Sequence, residues 1–155
     1  MIQRIQSVYL LLTTILSGLF LTGNIFRLIS GESSELVMTF RGIFEANGEN
    51  SIEPFGMAIP LALLAILVPI ISLAAIFLFK NRKLQLKITL ALIIMEVLLL
   101  ATTTYNCVYL IRHFDATLIP GFRMFIPFIT VILSILAYRR IRNDENLVRS
   151  YDRLR

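Results

Sequence analysis

The chain has 155 residues, 57% hydrophobic and 16% charged, and carries a formal net charge of +5, with a mean hydropathy of +0.78. Soluble domains are about 45–50% apolar and about 25% charged, so this balance argues against an ordinary water-soluble domain and for lipid as solvent. A single cysteine, Cys107, rules out an internal disulfide framework, and a single histidine, His113, argues against a histidine-based metal centre within one chain.

The first apolar run covers about 8–29 and is interrupted by Arg27. A hydrocarbon core about 30 Å thick needs about 20 helical residues. The basic start MIQR fits a signal peptide, but the run is longer than a signal core and no A-x-A-like site follows. It reads as an uncleaved first span.

The segment 30–54 is acidic, with Glu32, Glu35, Glu45, Glu49 and Glu53 against Arg41. Leu36, Met38 and Phe40 alternate with Val37, Thr39 and Arg41, the period of a strand. Asn47-Gly48 is a turn signal. A strand or small hairpin is expected there, on the outer face.

The second span is read at about 55–79, with bends expected at Pro60 and Pro69. The third covers about 88–110. The fourth covers about 118–138, and Pro120, Gly121, Arg123 and Pro127 make its first turns irregular.

Lysine and arginine in short loops set orientation. One side holds Arg4, the four cations of KNRKLQLK and six tail arginines, eleven in all; the other holds Arg27, Arg41, Arg112 and Arg123. Both termini are therefore expected in the cytoplasm.

The tail 139–155 starts with Arg139, Arg140 and Arg142, placed where lipid phosphates lie. Asn143 or Asp144 is a possible N-cap for a separate amphipathic helix with Leu147, Tyr151 and Leu154 on one side and Arg149 and Arg153 on the other. That helix can lie on anionic lipid of the inner leaflet, dock on a protein surface, or touch nucleic acid. Three acids dilute its field, so nucleic acid is not expected.

Glu96 is the sharpest internal feature. It lies about eight residues into the third span, roughly 12 Å deep. A charge there costs about 2.5–3.5 kcal/mol or more, and such residues face the bundle interior. Thr89, Glu96, Thr103 and Cys107 form one stripe; Gln6, Thr13, Ser17 and Asn24 form another on span one. The two stripes are expected to meet. Glu96, Thr103, Thr13, Ser17 and Asn24 are the candidate intramembrane polar site. A packing role, with Glu96 protonated or bonded to span one, competes with a proton- or ion-carrying one. Gly18 and Thr22 have small-xxx-small spacing.

The opening MIQRIQSVYLLL and the close LAYRRIRNDENLVRSYDRLR resemble the bacterial membrane family catalogued as domain of unknown function 4293, typical of Bacteroidota. The likeness covers the whole chain in length and span order. It implies a cytoplasmic-membrane protein with four helices, and brings no activity, ligand or catalytic residue. Four spans with a strand-bearing first outer loop are also similar to claudin-type proteins, a fold-level likeness that carries no function.

The expected fold is an all-α membrane protein: one integral domain, a four-transmembrane-helix bundle with a short strand or hairpin in the first outer loop and a C-terminal amphipathic helix. No P-loop, GxGxxG, HExxH, paired CxxC or GxSxG is present, so no enzyme, cofactor or metal is expected. The leading functional reading is a non-enzymatic accessory or scaffold subunit at the inner membrane. The alternatives are a small transporter or proton-coupled channel using Glu96, and a lipid-acting enzyme using Asn106, His113 and Asp115.

Overall fold

The computed structural model describes residues 3–29, 35–45 and 58–153. Four helices form, α1 (Gln3–Phe20), α2 (Ala58–Phe77), α3 (Arg82–Phe114) and α4 (Ile126–Arg153). Each packs against two neighbours, in the cyclic order α1–α2–α3–α4. Four short strands, β1 (Phe26–Ile29), β2 (Glu35–Thr39), β3 (Gly42–Glu45) and β4 (Thr117–Pro120), form one antiparallel sheet in the order β3-β2-β1-β4. The fold is thus mostly helical but not all-α.

The helices pack by a common rule. Buried positions fall at Gln6, Leu10, Thr13, Ser17 and Phe20 on α1, and at Leu61, Ala65, Val68, Ser72 and Ala75 on α2. On α4 they fall at Pro127, Thr130, Ser134, Ala137 and Ile141. On α3 they run from Gln85 through Thr89, Leu92, Glu96, Leu99, Thr103 and Asn106 to Leu110. Spacings of four and three alternate throughout, the seam of a heptad pattern. Small residues on these seams let backbones approach.

Large apolar side chains face the other way. Leu11, Ile15, Leu63, Ile70, Ile94 and Ile132 are all exposed. Contiguous exposed apolar surface marks contact with lipid or protein. Three helical stretches, Ile59–Phe77, Arg82–His113 and Phe122–Leu147, are long and apolar enough to cross a membrane; the apolar part of α1, Ile5–Phe20, is shorter.

Several boundaries differ from the sequence reading. The first run is helical only to Phe20, and Phe26–Ile29 is strand β1. In extended form Phe26 and Leu28 point inward while Arg27 points out and meets Glu35 at 3.1 Å. A helix continued through this stretch would carry Arg27 without that partner.

Next, residues 118–120 belong to β4, paired with β1, and a 3-10 turn (Phe122–Phe125) precedes α4. Pro120 sits on an edge strand, where a missing donor is tolerated. Last, α4 runs unbroken through Asn143 and Asp144, so the tail is no separate helix and neither residue is a cap. Asn and Asp inside a helix cost only up to about 0.7 kcal/mol each, too little to stop it without Gly or Pro.

The expected hairpin forms between β2 and β3. Thr39 pairs with Gly42, so Phe40 and Arg41 make the turn. The Arg41 N–H donates to Thr39 Oγ1 at 3.2 Å, and the Arg41 guanidinium lies over the Phe40 ring. Gly42 has φ 146°, which glycine alone adopts readily. Asn47-Gly48 lies outside the described residues. α2 continues through Pro69. Pro60 falls in its first turn, where an N–H has no intrahelical acceptor. α3 begins at Arg82, earlier than expected, and at 33 residues is about 50 Å long.

Candidate functional site

The seams carry an unusual load of polar groups. Thr13, Ser17, Ser72, Gln85, Thr89, Glu96, Thr103, Asn106, Thr130 and Ser134 are all buried. Most bond to backbone. The Thr13 hydroxyl donates to Tyr9 O, Ser17 to Thr13 O, Thr89 to Gln85 O and Thr103 to Leu99 O, at 2.7–3.0 Å. Such back-bonding satisfies a hydroxyl inside its own helix.

Side-chain hydrogen bonds also cross between the helices. Thr14 Oγ1 donates to Ser72 Oγ at 3.0 Å, and Ser72 donates to Leu10 O at 2.9 Å, tying α1 to α2. Gln85 Nε2 donates to Ala75 O at 3.0 Å, tying α3 to the end of α2. Ser134 Oγ donates to Glu96 Oε1 at 3.0 Å, tying α4 to α3.

Glu96 is fully buried, and its Oε2 has no hydrogen-bond partner among the described residues. Gln6 Oε1, Gln85 Oε1 and Asn106 Nδ2 are likewise buried without one. An unpartnered buried polar atom is costly and calls for a reason.

Among the described residues no hydrogen bond joins the expected site residues of α1 to those of α3. α1 and α3 each lie between α2 and α4: Thr14 and the Leu10 carbonyl of α1 meet Ser72, and Glu96 of α3 meets Ser134. Glu96 bonds to α4, where span one was expected. Asn24 lies beyond the end of α1, half-buried at the sheet end. Gly18 has open space where a Cβ would stand, so it does not mediate close helix contact. Ser72, Gln85, Thr130 and Ser134 were missed. Ser72, Thr130 and Ser134 are polar residues at heptad positions of apolar runs, a signal readable in the sequence, whereas Gln85 stands in the charged stretch KNRKLQLK.

A family model of a domain of unknown function, DUF4293, matches residues 2–154. The chain belongs to the DUF4293 family. No curated protein and no solved structure matches it.

The DUF4293 match includes the arginine-rich end. Arg139, Arg140 and Arg142 are exposed on α4. Arg142 lines a cavity of about 360 Å³ with Lys87, Tyr138, Glu145 and Asn146, between α3 and α4. Arg82 Nη1 reaches Asp144 O at 3.5 Å, across the same two helices. Arg149 and Arg153 are on the helix, but their side chains lie outside the described residues. At the opposite end Tyr105, Tyr109 and His113 stack along α3, with centroids 6.4 and 5.5 Å apart. Asn106 is buried, whereas His113 and Asp115 are exposed.

Proposed function

We propose that this chain is a four-span integral protein of the cytoplasmic membrane, both termini cytoplasmic, acting as a non-enzymatic accessory or scaffold subunit. One observation carries this reading: most seam hydroxyls are engaged by the protein's own backbone and neighbouring helices. The exposed groups proposed to meet a partner lie at the two ends. At one end, Ile29 and Ile119 are exposed on the outward face of the sheet beside the Arg27–Glu35 pair. At the other, Arg139, Arg140 and Arg142 are available to anionic lipid of the inner leaflet.

Co-purification in mild detergent tests the role. A stoichiometric partner should be recovered with the native chain and lost with Ile119→Asp on the sheet face. Recovery of the chain alone in every membrane preparation would remove the reading.

A second reading, proton or ion transfer through Glu96, is favoured by its unpartnered Oε2. Intramembrane acids commonly serve such relays. In liposomes Glu96→Gln should then abolish flux with folding intact; equal flux in that variant refutes it.

A further inference from the structure

At the sheet end a cavity of about 670 Å³ lies between the end of α1, the β1–β4 pair and the start of α4. That volume is in the range of sites for small organic ligands, roughly 300–1,000 Å³. Its walls differ in chemistry. Leu19, Ile119, Phe122 and Ile126 supply an apolar side, while Asn24, Arg27 and Arg123 supply a polar one. Leu19 and Phe122 are well exposed, Phe122 at 73%.

The charges leave one cation over. Arg27 is paired with Glu35, which also lines the cavity. Arg123 is half-buried, and its guanidinium makes no hydrogen bond or ion pair among the described residues. Arg27 and Glu35 cancel, and among the described residues that line the cavity one guanidinium remains.

That guanidinium has a built seat. It rests directly on Gly23, in the space a Cβ would occupy. Gly121, two residues before Arg123, brings its Cα against the Ile25 carbonyl; a Cβ there would lie 2.6 Å from that oxygen. Two glycines thus hold the α1–β1 turn and the β4–α4 turn together, with the Arg123 head between them. Burying a guanidinium partway without a partner is costly unless an anion completes it.

We propose that this cavity binds the phosphodiester head group of a monoanionic membrane phospholipid, with Arg123 as the anion contact and Leu19, Phe122 and Ile126 as the acyl contact. A guanidinium fork matches phosphate oxygens in pairs, and a single net positive charge suits a single negative one. An apolar wall running onto exposed Leu19 and Phe122 suits an acyl chain that continues into the bilayer. The proposal rests on the membrane reading above and not on the accessory role.

The test uses the full chain in dodecyl maltoside, with phosphatidylglycerol, phosphatidylcholine, oleate and inorganic phosphate as probes, read by native mass spectrometry and thermal shift. Phosphatidylglycerol should bind the wild type at least fivefold tighter than phosphatidylcholine. Arg123→Gln should weaken it tenfold or more. Gly23→Ala, which keeps the charge but takes the seat, should weaken it comparably. Arg139→Gln at the far end should leave it unchanged. Should Arg123→Gln fail to fold, Arg123→Lys decides, with an expected threefold or greater loss. Equal phosphatidylglycerol binding by the folded Arg123 variants overturns the site. Displacement of the lipid by millimolar inorganic phosphate overturns the lipid in favour of free phosphate, and preference for oleate overturns the phosphodiester. A chain that stays monomeric in buffer without detergent would instead overturn the membrane reading.

Discussion

Ser134 on α4 gives its hydroxyl proton to Glu96 Oε1 on α3 across 3.0 Å, with both side chains fully buried. This bond, rather than one to α1, is how the most polar residue of the helical core is held. Ser134→Ala leaves both carboxyl oxygens without a partner and should cost about 1–2 kcal/mol of stability. The double variant Glu96→Leu/Ser134→Ala replaces both partners with apolar groups and should recover most of that loss. Thermal unfolding in detergent measures both. A single variant as stable as the wild type would show that the bond contributes nothing.

Two glycines should respond with opposite sign. A Cβ at Gly121 would meet the Ile25 carbonyl oxygen at 2.6 Å, a backbone atom that cannot swing aside. Gly121→Ala should therefore destabilise by about 1–3 kcal/mol, as overpacking does. A Cβ at Gly18 meets nothing within 4 Å. Gly18→Ala should be neutral or gain up to about 1 kcal/mol, because alanine is the better helix former. Paired melting curves decide, and equal effects would refute the geometry.

The same contrast explains what was legible beforehand. Helix existence follows from long apolar runs, and the inward seam of α3 was visible as Thr89, Glu96 and Thr103. The strand between α1 and α2 was visible because Leu36 and Met38 alternate with Val37 and Thr39. The ends were not legible. Phe26–Ile29 and Thr117–Pro120 are too short and too apolar to tell from the helical runs beside them, and only their mutual pairing makes them strands. Partner choice was also hidden. A stripe shows which face of α1 or α3 turns inward, but four inward faces can be ordered in more than one way. Ser72 and Ser134, the residues that fix the order here, were read as part of apolar spans.

The proposed orientation has a direct check. Arg41 lies in the β2–β3 turn at the sheet end, and Lys83 lies at the start of α3 at the other end; both are exposed. The native Cys107 is buried and should give little background. On intact cells a membrane-impermeant maleimide should label Arg41→Cys and spare Lys83→Cys until the membrane is opened. The reverse pattern would invert the topology, and labelling of both would end the four-span reading.

The continuity of α4 can be separated from a capped tail helix with one substitution. If a new helix began at Asn143, proline at position 144 would occupy its first helical position, where it is well tolerated. Inside an unbroken helix, proline at 144 removes the bond from its own N–H to the Arg140 carbonyl and clashes with that turn. The structure has the second arrangement, with helix from Ile126 to Arg153 and the Asp144 carbonyl near Arg82 at 3.5 Å. Asp144→Pro should therefore kink α4 and cost about 3 kcal/mol. It should also pull the arginines beyond 144 out of line with Arg139, Arg140 and Arg142. Spin labels at exposed positions 140 and 147 report the result, since a straight helix holds them about 10 Å apart along its axis. A distance distribution in Asp144→Pro as narrow as in the parent, with unchanged stability, would mean that the helix breaks at Asn143 after all.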